Sequence, residues 1–296
     1  MKTKLLLLAL ALACPVLGAA IDTARIEALT GLKGTLNEAE GVFKVTAPRN
    51  DVKITVDGWA MPPFMGLTSW AAFTQGKLAD VMVAGDLVLF EDEVNTVMSA
   101  ALDAGLSVTA LHNHFFADEP KVYFMHIGGE GPLEKLAGAV KSALDAEKAL
   151  RAAQPTPQRL FGKGFAPEKN AITASALDAV LGTIGQAKDG MYKAVFGRSA
   201  KMPCECVMGK EMGVNTWAAF AGTDDNAVVD GDFCVLEGEL QPTLKSLRAS
   251  GINIVAIHHH MINESPRYLF LHYWGKGKAA DLAASIKKTL ELQAKK

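Results

Sequence analysis

The chain lacks the features of several large protein classes. Lysine and arginine number 30 against 32 aspartate and glutamate, a formal net charge of −2. No basic surplus is available to grip a phosphate backbone, so no nucleic-acid partner is expected. Beyond residue 20 no apolar run is long enough to cross a bilayer as a helix. There is no phosphate-cradling glycine loop, no Gly-x-Ser-x-Gly elbow and no Gly-x-Gly-x-x-Gly fingerprint, which argues against nucleotide enzymes and serine hydrolases. Cysteine is scarce, with four in 296 residues. Cys14 falls in the N-terminal apolar stretch, which leaves Cys204, Cys206 and Cys234. An odd number excludes a complete disulfide framework. A structural role is favoured for these three. A soft metal pair at Cys204 and Cys206, or a bridge from one of them to Cys234, is the alternative.

Histidine is also scarce, and its placement is the strongest signal in the chain. Six of the seven histidines form two triads, His112, His114 and His126, then His258, His260 and His272. The spacing within each is two residues and then twelve, and the triads are 146 residues apart (112 to 258). Residues 111–116 and 122–127 read as two short strands joined by a turn at 117–120. On a strand, positions i and i+2 share a face, and a hairpin turning at Glu119 places His126 opposite His112. Three imidazoles then converge on one sheet face in each copy, the donor set of a divalent metal with an open position. Zinc is the default, with copper or manganese as alternatives. His259 lies between two ligands and should point to the other face, and its counterpart is Asn113.

The duplication extends well beyond the histidines. Met65-Gly66-Leu67-Thr68-Ser69-Trp70-Ala71-Ala72-Phe73 is echoed by Met212-Gly213-Val214-Asn215-Thr216-Trp217-Ala218-Ala219-Phe220. Gly85-Asp86 matches Gly231-Asp232, Glu93 matches Glu239, Gly105 matches Gly251 and Pro120 matches Pro266. Each copy reads as strands, a helix at 91–104, the histidine hairpin and a second helix from Pro132 to about residue 150. The expected class is α+β: two homologous modules, each a mostly antiparallel sheet covered by helices, packed about a pseudo-two-fold. The expected boundaries are a signal peptide at 1–20, modules at 21–153 and 170–296, and a linker at 154–169 that opens with Gln154-Pro155-Thr156-Pro157. The signal peptide rests on basic Lys2 and Lys4, a short apolar core at 5–13 and small residues at 18–20, and it implies export to the periplasm or medium.

The Met-Gly-x-x-[Ser/Thr]-Trp-Ala-Ala-Phe segment, the Gly-Asp step, Ala110-Leu111-His112-Asn113-His114 and its second version at 256–260, and Pro266-Arg267-Tyr268-Leu269-Phe270-Leu271-His272 resemble the LppY/LpqO family. These are exported bacterial proteins without an established activity. The resemblance covers nearly all of the chain after residue 20 and implies an envelope location, with lipoprotein and peptidoglycan-binding labels attached to some members. This chain departs from the family at Cys14, where Leu10-Ala11-Leu12-Ala13 makes a poor lipobox, so a lipid anchor is the second reading.

The remaining candidates concern catalysis and ligand binding. Asp118 and Glu264 each lie two residues before the turn proline, as a fourth ligand or a general base on metal-bound water, or simply as solvated turn carboxylates. Lys121 and Arg267 are candidates for holding a small anionic ligand. Asp86 and Asp232 mark a bulge or turn, or orient a ligating histidine. Glu93 and Glu239 start helices, where a carboxylate suits the dipole. Tyr123, Phe124, Tyr268, Phe270, Tyr273 and Trp274 flank the third histidines, as core or as a face for a sugar ring. Three functions remain open at this point: a metal-binding exported protein, a metal-dependent envelope hydrolase, and a non-catalytic module for a cell-wall polymer.

Overall fold

The computed structural model describes residues 21–159 and 166–293, so the expected signal peptide lies outside the described residues. The first module runs α1 (Thr23–Thr30), β1 (Gly34–Asn37), β2 (Val42–Pro48), β3 (Thr55–Val56), β4 (Trp59–Ala60), β5 (Thr68–Gln75), β6 (Val81–Phe90), α2 (Val94–Ala104), β7 (Ser107–His112), β8 (Asp118–Glu119), β9 (Val122–Gly131) and α3 (Leu133–Ala153). The second repeats the plan with α4 (Ala174–Leu181), β10 (Gln186–Lys188), β11 (Met191–Gly197), β12 (Ala200–Lys201), β13 (Val207–Met208), β14 (Asn215–Gly222), β15 (Ala227–Leu236), α5 (Glu237–Ala249), β16 (Asn253–His258), β17 (Tyr268–Gly277) and α6 (Ala279–Leu290).

The local sequence accounts for these elements. In α1 the Asp22 carboxylate accepts the Arg25 N–H at 2.9 Å, capping the first turn. In α2, Val94, Val97, Met98, Ala101 and Leu102 repeat at helical spacing and are all buried, and Gly105 ends the helix in the left-handed conformation at φ 96°. Strand β6 buries Val81, Val83, Gly85, Leu87 and Leu89 on one face. The other face carries Met82, Ala84, Asp86, Val88 and Phe90.

The two modules are α+β as the sequence implies, and they merge into a single sheet. Twelve strands run in the order β1-β2-β5-β6-β9-β7-β16-β17-β15-β14-β11-β10. With each second-module strand replaced by its counterpart, the order reads the same from either end, as a pseudo-two-fold requires. The halves meet at β7 and β16, antiparallel, with Leu111 opposite Ile257. One continuous core on the helix-covered face takes in residues from all six helices, from Ile26 in α1 to Ile286 in α6. The opposite face holds two smaller clusters, one per module, centred on Phe124 and on Phe270.

The strands around the histidines differ from expectation. β7 starts at Ser107 and stops at His112, so His114 lies beyond the strand. The chain leaves the sheet there because the Asn113 side chain donates to the Val122 carbonyl at 3.1 Å, and Asp118–Glu119 goes on to pair with β3. The expected turn at 117–120 is thus partly a strand.

Candidate metal centre

The histidines lie on the sheet face that the helices leave open. His126 follows Val122 and Phe124 at every second position of β9, while Tyr123, Met125 and Ile127 face the helices. The hairpin register is shifted by two residues from the expected one. His126 faces Ala110, and His112 faces Phe124. His272 likewise faces Ala256, and His258 faces Phe270. A bulge in the first strand of each hairpin, between Val108 and Ala110 and between Ile254 and Ala256, lies on the far side of the histidines from the connecting loop and changes the pairing there by one more residue. A two-residue shift keeps every side chain on its face, so the histidines still converge, now diagonally.

In the first module His112 Nε2 and His126 Nε2 are 3.0 Å apart. In the second, donor atoms of Asp232, His258 and His272 all lie within 4.8 Å of one another. The sequence leads one to expect His260 as the third donor, and the structure places Asp232 there. Asp232 is directly opposite His272 across β15 and β17, and Asp86 is directly opposite His126 across β6 and β9. Both aspartates sit in unbroken strands, not at the turn or bulge considered from the sequence. The duplicated Gly-Asp step was the signal that pointed to them. Its glycine makes room: a Cβ on Gly231 would meet the Tyr273 hydroxyl at 2.1 Å and the Trp217 carbonyl at 2.4 Å.

His114 and His260 are exposed and lie flat on the buried rings of Phe124 and Phe270, with ring centroids 3.3 Å and 3.5 Å apart. His260 Nε2 also stands 3.3 Å from Asp232 Oδ2. The aromatics that flank the third histidines divide by face. Phe124 and Phe270 carry the exposed histidines, whereas Tyr273 is buried with its hydroxyl donating to the Trp217 carbonyl at 2.9 Å.

The hydrogen bonds fix tautomers. His272 Nδ1 lies 3.2 Å from the Gly231 carbonyl and His260 Nδ1 lies 3.3 Å from the Gly213 carbonyl. A carbonyl only accepts, so both Nδ1 atoms carry hydrogen and both Nε2 atoms of the neutral rings are lone pairs. The His260 lone pair then faces a carboxylate oxygen, a contact that needs a cation, either a second proton or a metal. His112 Nε2 and His126 Nε2, 3.0 Å apart, either share a hydrogen bond from one neutral ring to the other or share an ion. Metal–imidazole bonds of about 2.0–2.1 Å make that separation suitable for a shared ion.

Among the described residues, three buried atoms at these sites have no hydrogen-bond partner: Asp86 Oδ1, Asp232 Oδ1 and His258 Nε2. Buried polar atoms are rarely left so. Burial pushes both Asp86 and Asp232 up from the ordinary carboxylate value, against the pull of His126 on the first and His272 on the second. Burial, then His112, pushes His114 down, and burial, then His272, pushes His258 down. These two imidazoles are thereby biased towards the neutral form, the form that ligates metal.

The other candidates go elsewhere. Asp118 accepts the Val122 N–H at 2.7 Å and Lys121 at 2.8 Å, and Glu264 accepts the Tyr268 N–H at 3.1 Å. Both are buried and fix the start of the last hairpin strand. His259 Nδ1 lies 3.2 Å from the Tyr268 carbonyl, the role Asn113 plays at Val122. Glu93 and Glu239 stand at the starts of α2 and α5 as the sequence suggests, and both are also buried partners of Arg49 and Arg198. Cys234 is buried beside Phe270, while Cys204 and Cys206 are exposed free thiols. The alternative of a bridge to Cys234 is therefore not realised, and neither exposed cysteine serves packing. Beside His260 a cavity of about 510 Å³ is lined by Lys193, Lys210, Asn215 and Trp217 among others.

A family model described as Domain of Unknown Function (DUF1259) matches residues 24–146 and again residues 175–292, and the chain belongs to that family. No curated protein matches it. A crystal structure of a trimeric bacterial microcompartment shell protein, PduB, aligns with 88% of this chain and 89% of that one at 14% identity, with a TM-score of 0.24, too low to bear on the fold.

Proposed function

We propose that this twofold member of the DUF1259 family binds divalent metal on the open face of its sheet, one site per module. The observation that carries this reading is the set of unpaired buried atoms at the meeting points of histidine and aspartate, Asp232 Oδ1 and His258 Nε2 above all. In the second module His258, His272 and Asp232 are the ligands, with His260 poised at Asp232. In the first, His112 and His126 are the ligands, with Asp86 opposite and His114 alongside. Two imidazoles and one carboxylate suit zinc with an open position, and they also accept copper or manganese. An exported, envelope location, supported by the N-terminal residues and the LppY/LpqO resemblance, is part of the proposal.

The test is elemental analysis of untagged protein beside a variant with all six triad histidines changed to alanine. Excess metal in the wild type, before or after reconstitution with zinc, copper or manganese, supports the sites. Equal metal in both proteins removes them.

A second reading, a metal-dependent hydrolase of an envelope polymer or small anionic metabolite, is favoured by one observation. The cavity beside His260 carries Lys193 and Lys210, which suits an acidic ligand next to the open coordination position. Turnover by metal-loaded protein on a panel of envelope substrates, abolished by His114→Ala or His260→Ala, supports it. Saturable sedimentation with peptidoglycan that chelator leaves unchanged points instead to a non-catalytic wall-binding module.

A further inference from the structure

The hairpin that carries Cys204 and Cys206 is where the second module adds chemistry that the first lacks. In the first module Asp57 and Gly58 alone join β3 to β4, both at positive φ, 50° and 78°. In the second, Ala200 faces Met208 and Lys201 faces Val207, and Met202-Pro203-Cys204-Glu205-Cys206 closes the turn. The Glu205 N–H donates to the Met202 carbonyl at 2.9 Å, and the Met202 N–H donates to the Cys206 carbonyl at 2.9 Å. Glu205 takes φ 64°, a left-handed conformation that is costly for a residue with a side chain, and it is tied down by an ion pair to Lys201.

That left-handed step between the cysteines replaces the alternation of an extended strand, in which adjacent side chains point to opposite faces. Cys206 Sγ lies 3.6 Å from the Cys204 carbonyl, so the second thiol folds back over the first residue. Both thiols are exposed and free, and the fold makes no packing use of either. Met202 opens the same turn and Met208 stands at its base, both partly buried. Soft sulfur is thus concentrated on one short hairpin, in a chain with three cysteines after residue 20.

We propose that Cys204 and Cys206 form a separate site for monovalent copper. Thiolate and thioether sulfur select Cu(I), whereas imidazole and carboxylate favour divalent ions, so softness sorts metals between this hairpin and the histidine centres. Loading breaks two S–H bonds, releases two protons and forms two Cu–S bonds, and no electron is transferred. Met202 offers a thioether within the same turn. The hairpin is also joined to the second histidine centre. Lys201 and Ser265 exchange backbone hydrogen bonds of 2.8 Å and 2.9 Å, and the chain leaving β13 leads to Gly213, whose carbonyl holds His260.

The test supplies Cu(I) under reductant and without oxygen, against a competing chelator of known affinity. The proteins are the wild type, Cys204→Ser, Cys206→Ser and the variant with six histidines changed to alanine. The wild type and the six-histidine variant should each hold one copper with sulfur neighbours in X-ray absorption. Each serine variant should lose at least about tenfold in Cu(I) affinity. Because both thiols are exposed, the serine variants should keep wild-type melting temperatures and zinc content. Three results overturn the proposal: serine variants that bind Cu(I) as tightly as wild type, copper surrounded only by nitrogen and oxygen, or a Cys204–Cys206 disulfide that resists reduction. Loss of copper in the six-histidine variant alone would place the metal at the histidine centres and also reject it.

Discussion

Asn95 and Gln241 occupy equivalent positions on α2 and α5, and each clasps a backbone residue of the other module. Asn95 Oδ1 accepts the Ile254 N–H at 2.8 Å and Asn95 Nδ2 donates to the Ile254 carbonyl at 3.1 Å. Gln241 Oε1 accepts the Val108 N–H at 2.9 Å and Gln241 Nε2 donates to the Val108 carbonyl at 2.8 Å. Leu111 and Ile257 form the sole paired residues between the central strands among the described residues, so the amides act as strand partners on either side of that bridge. Asn95→Ala or Gln241→Ala leaves two backbone groups without partners, and each should cost about 1–3 kcal/mol. Chemical denaturation measures this, and effects below a few tenths of a kcal/mol would show that the clasps do not hold the halves together.

A buried charge network in the first module should make stability depend on pH. Arg49 serves Asp51, Glu93 and Glu147, and Glu147 Oε2 is left without a partner. Burial pushes Glu147 up to about 7, more than Arg49 pulls it down. The folded protein therefore holds this proton more tightly than the unfolded chain. Its contribution to stability is full below the unfolded value, about 4.3, and is lost as pH rises towards 7. Glu147→Gln should stabilise the protein at pH 8 by up to about 3 kcal/mol and change little at pH 4. Equal effects at both pH values would contradict the assignment.

Much of this was legible in the sequence because it rests on short-range rules. Period-two burial in β6, the helical stripe of α2 and the Gly105 stop all follow from local spacing, and the repeat of each segment doubled the signal. The register at the histidines is not legible because it depends on where the connecting loop turns, and Asp118–Glu119, the expected turn, pairs instead with the distant β3. The fusion into one sheet depends on Leu111 meeting Ile257, a pairing between residues far apart in the chain. From sequence Asp232 reads as a bulge or turn residue or as support for a ligand, since its position opposite His272 depends on a strand pairing that the sequence does not display. Asp118 and Glu264 read from sequence as site carboxylates or as solvated turn residues, whereas in the fold they are buried and their oxygens go to backbone N–H groups four residues on.

Asp232→Asn should act in opposite directions on metal binding and on the metal-free fold. The carboxylate is buried with Oδ1 unpaired, and burial pushes it up. With a raised folded value, its contribution to stability is lost as pH rises, so removing the charge should raise the melting temperature of metal-free protein at pH 8. As a ligand its loss should weaken zinc affinity by at least about 10- to 100-fold, the effect seen even for groups one layer from a metal. A purely structural Asp232 would give the first effect without the second. Calorimetric zinc titration beside thermal melts separates the two.

Zinc stabilisation should itself depend on pH, with the sign set by His258. Burial, then His272, pushes His258 down, so its proton competes with metal only below the ordinary imidazole value of about 6.5. In the metal-free protein this lowered group binds its proton less readily than in the unfolded chain, so stability falls as pH drops below about 6.5. Metal bound to the folded state alone adds RT ln(1 + [L]/Kd), about 2.7 kcal/mol at a hundredfold excess over Kd. At pH 7.5 zinc at that excess should therefore raise the melting temperature by several degrees, and the gain should disappear as pH falls towards 5, because ligating imidazoles must be neutral. The experiment is a series of melts with and without zinc between pH 5 and 8, on the wild type and on the six-histidine variant. A zinc shift that persists in the variant, or that is the same at pH 5 and pH 7.5, would mean that zinc acts elsewhere and that the histidine centres are not its site.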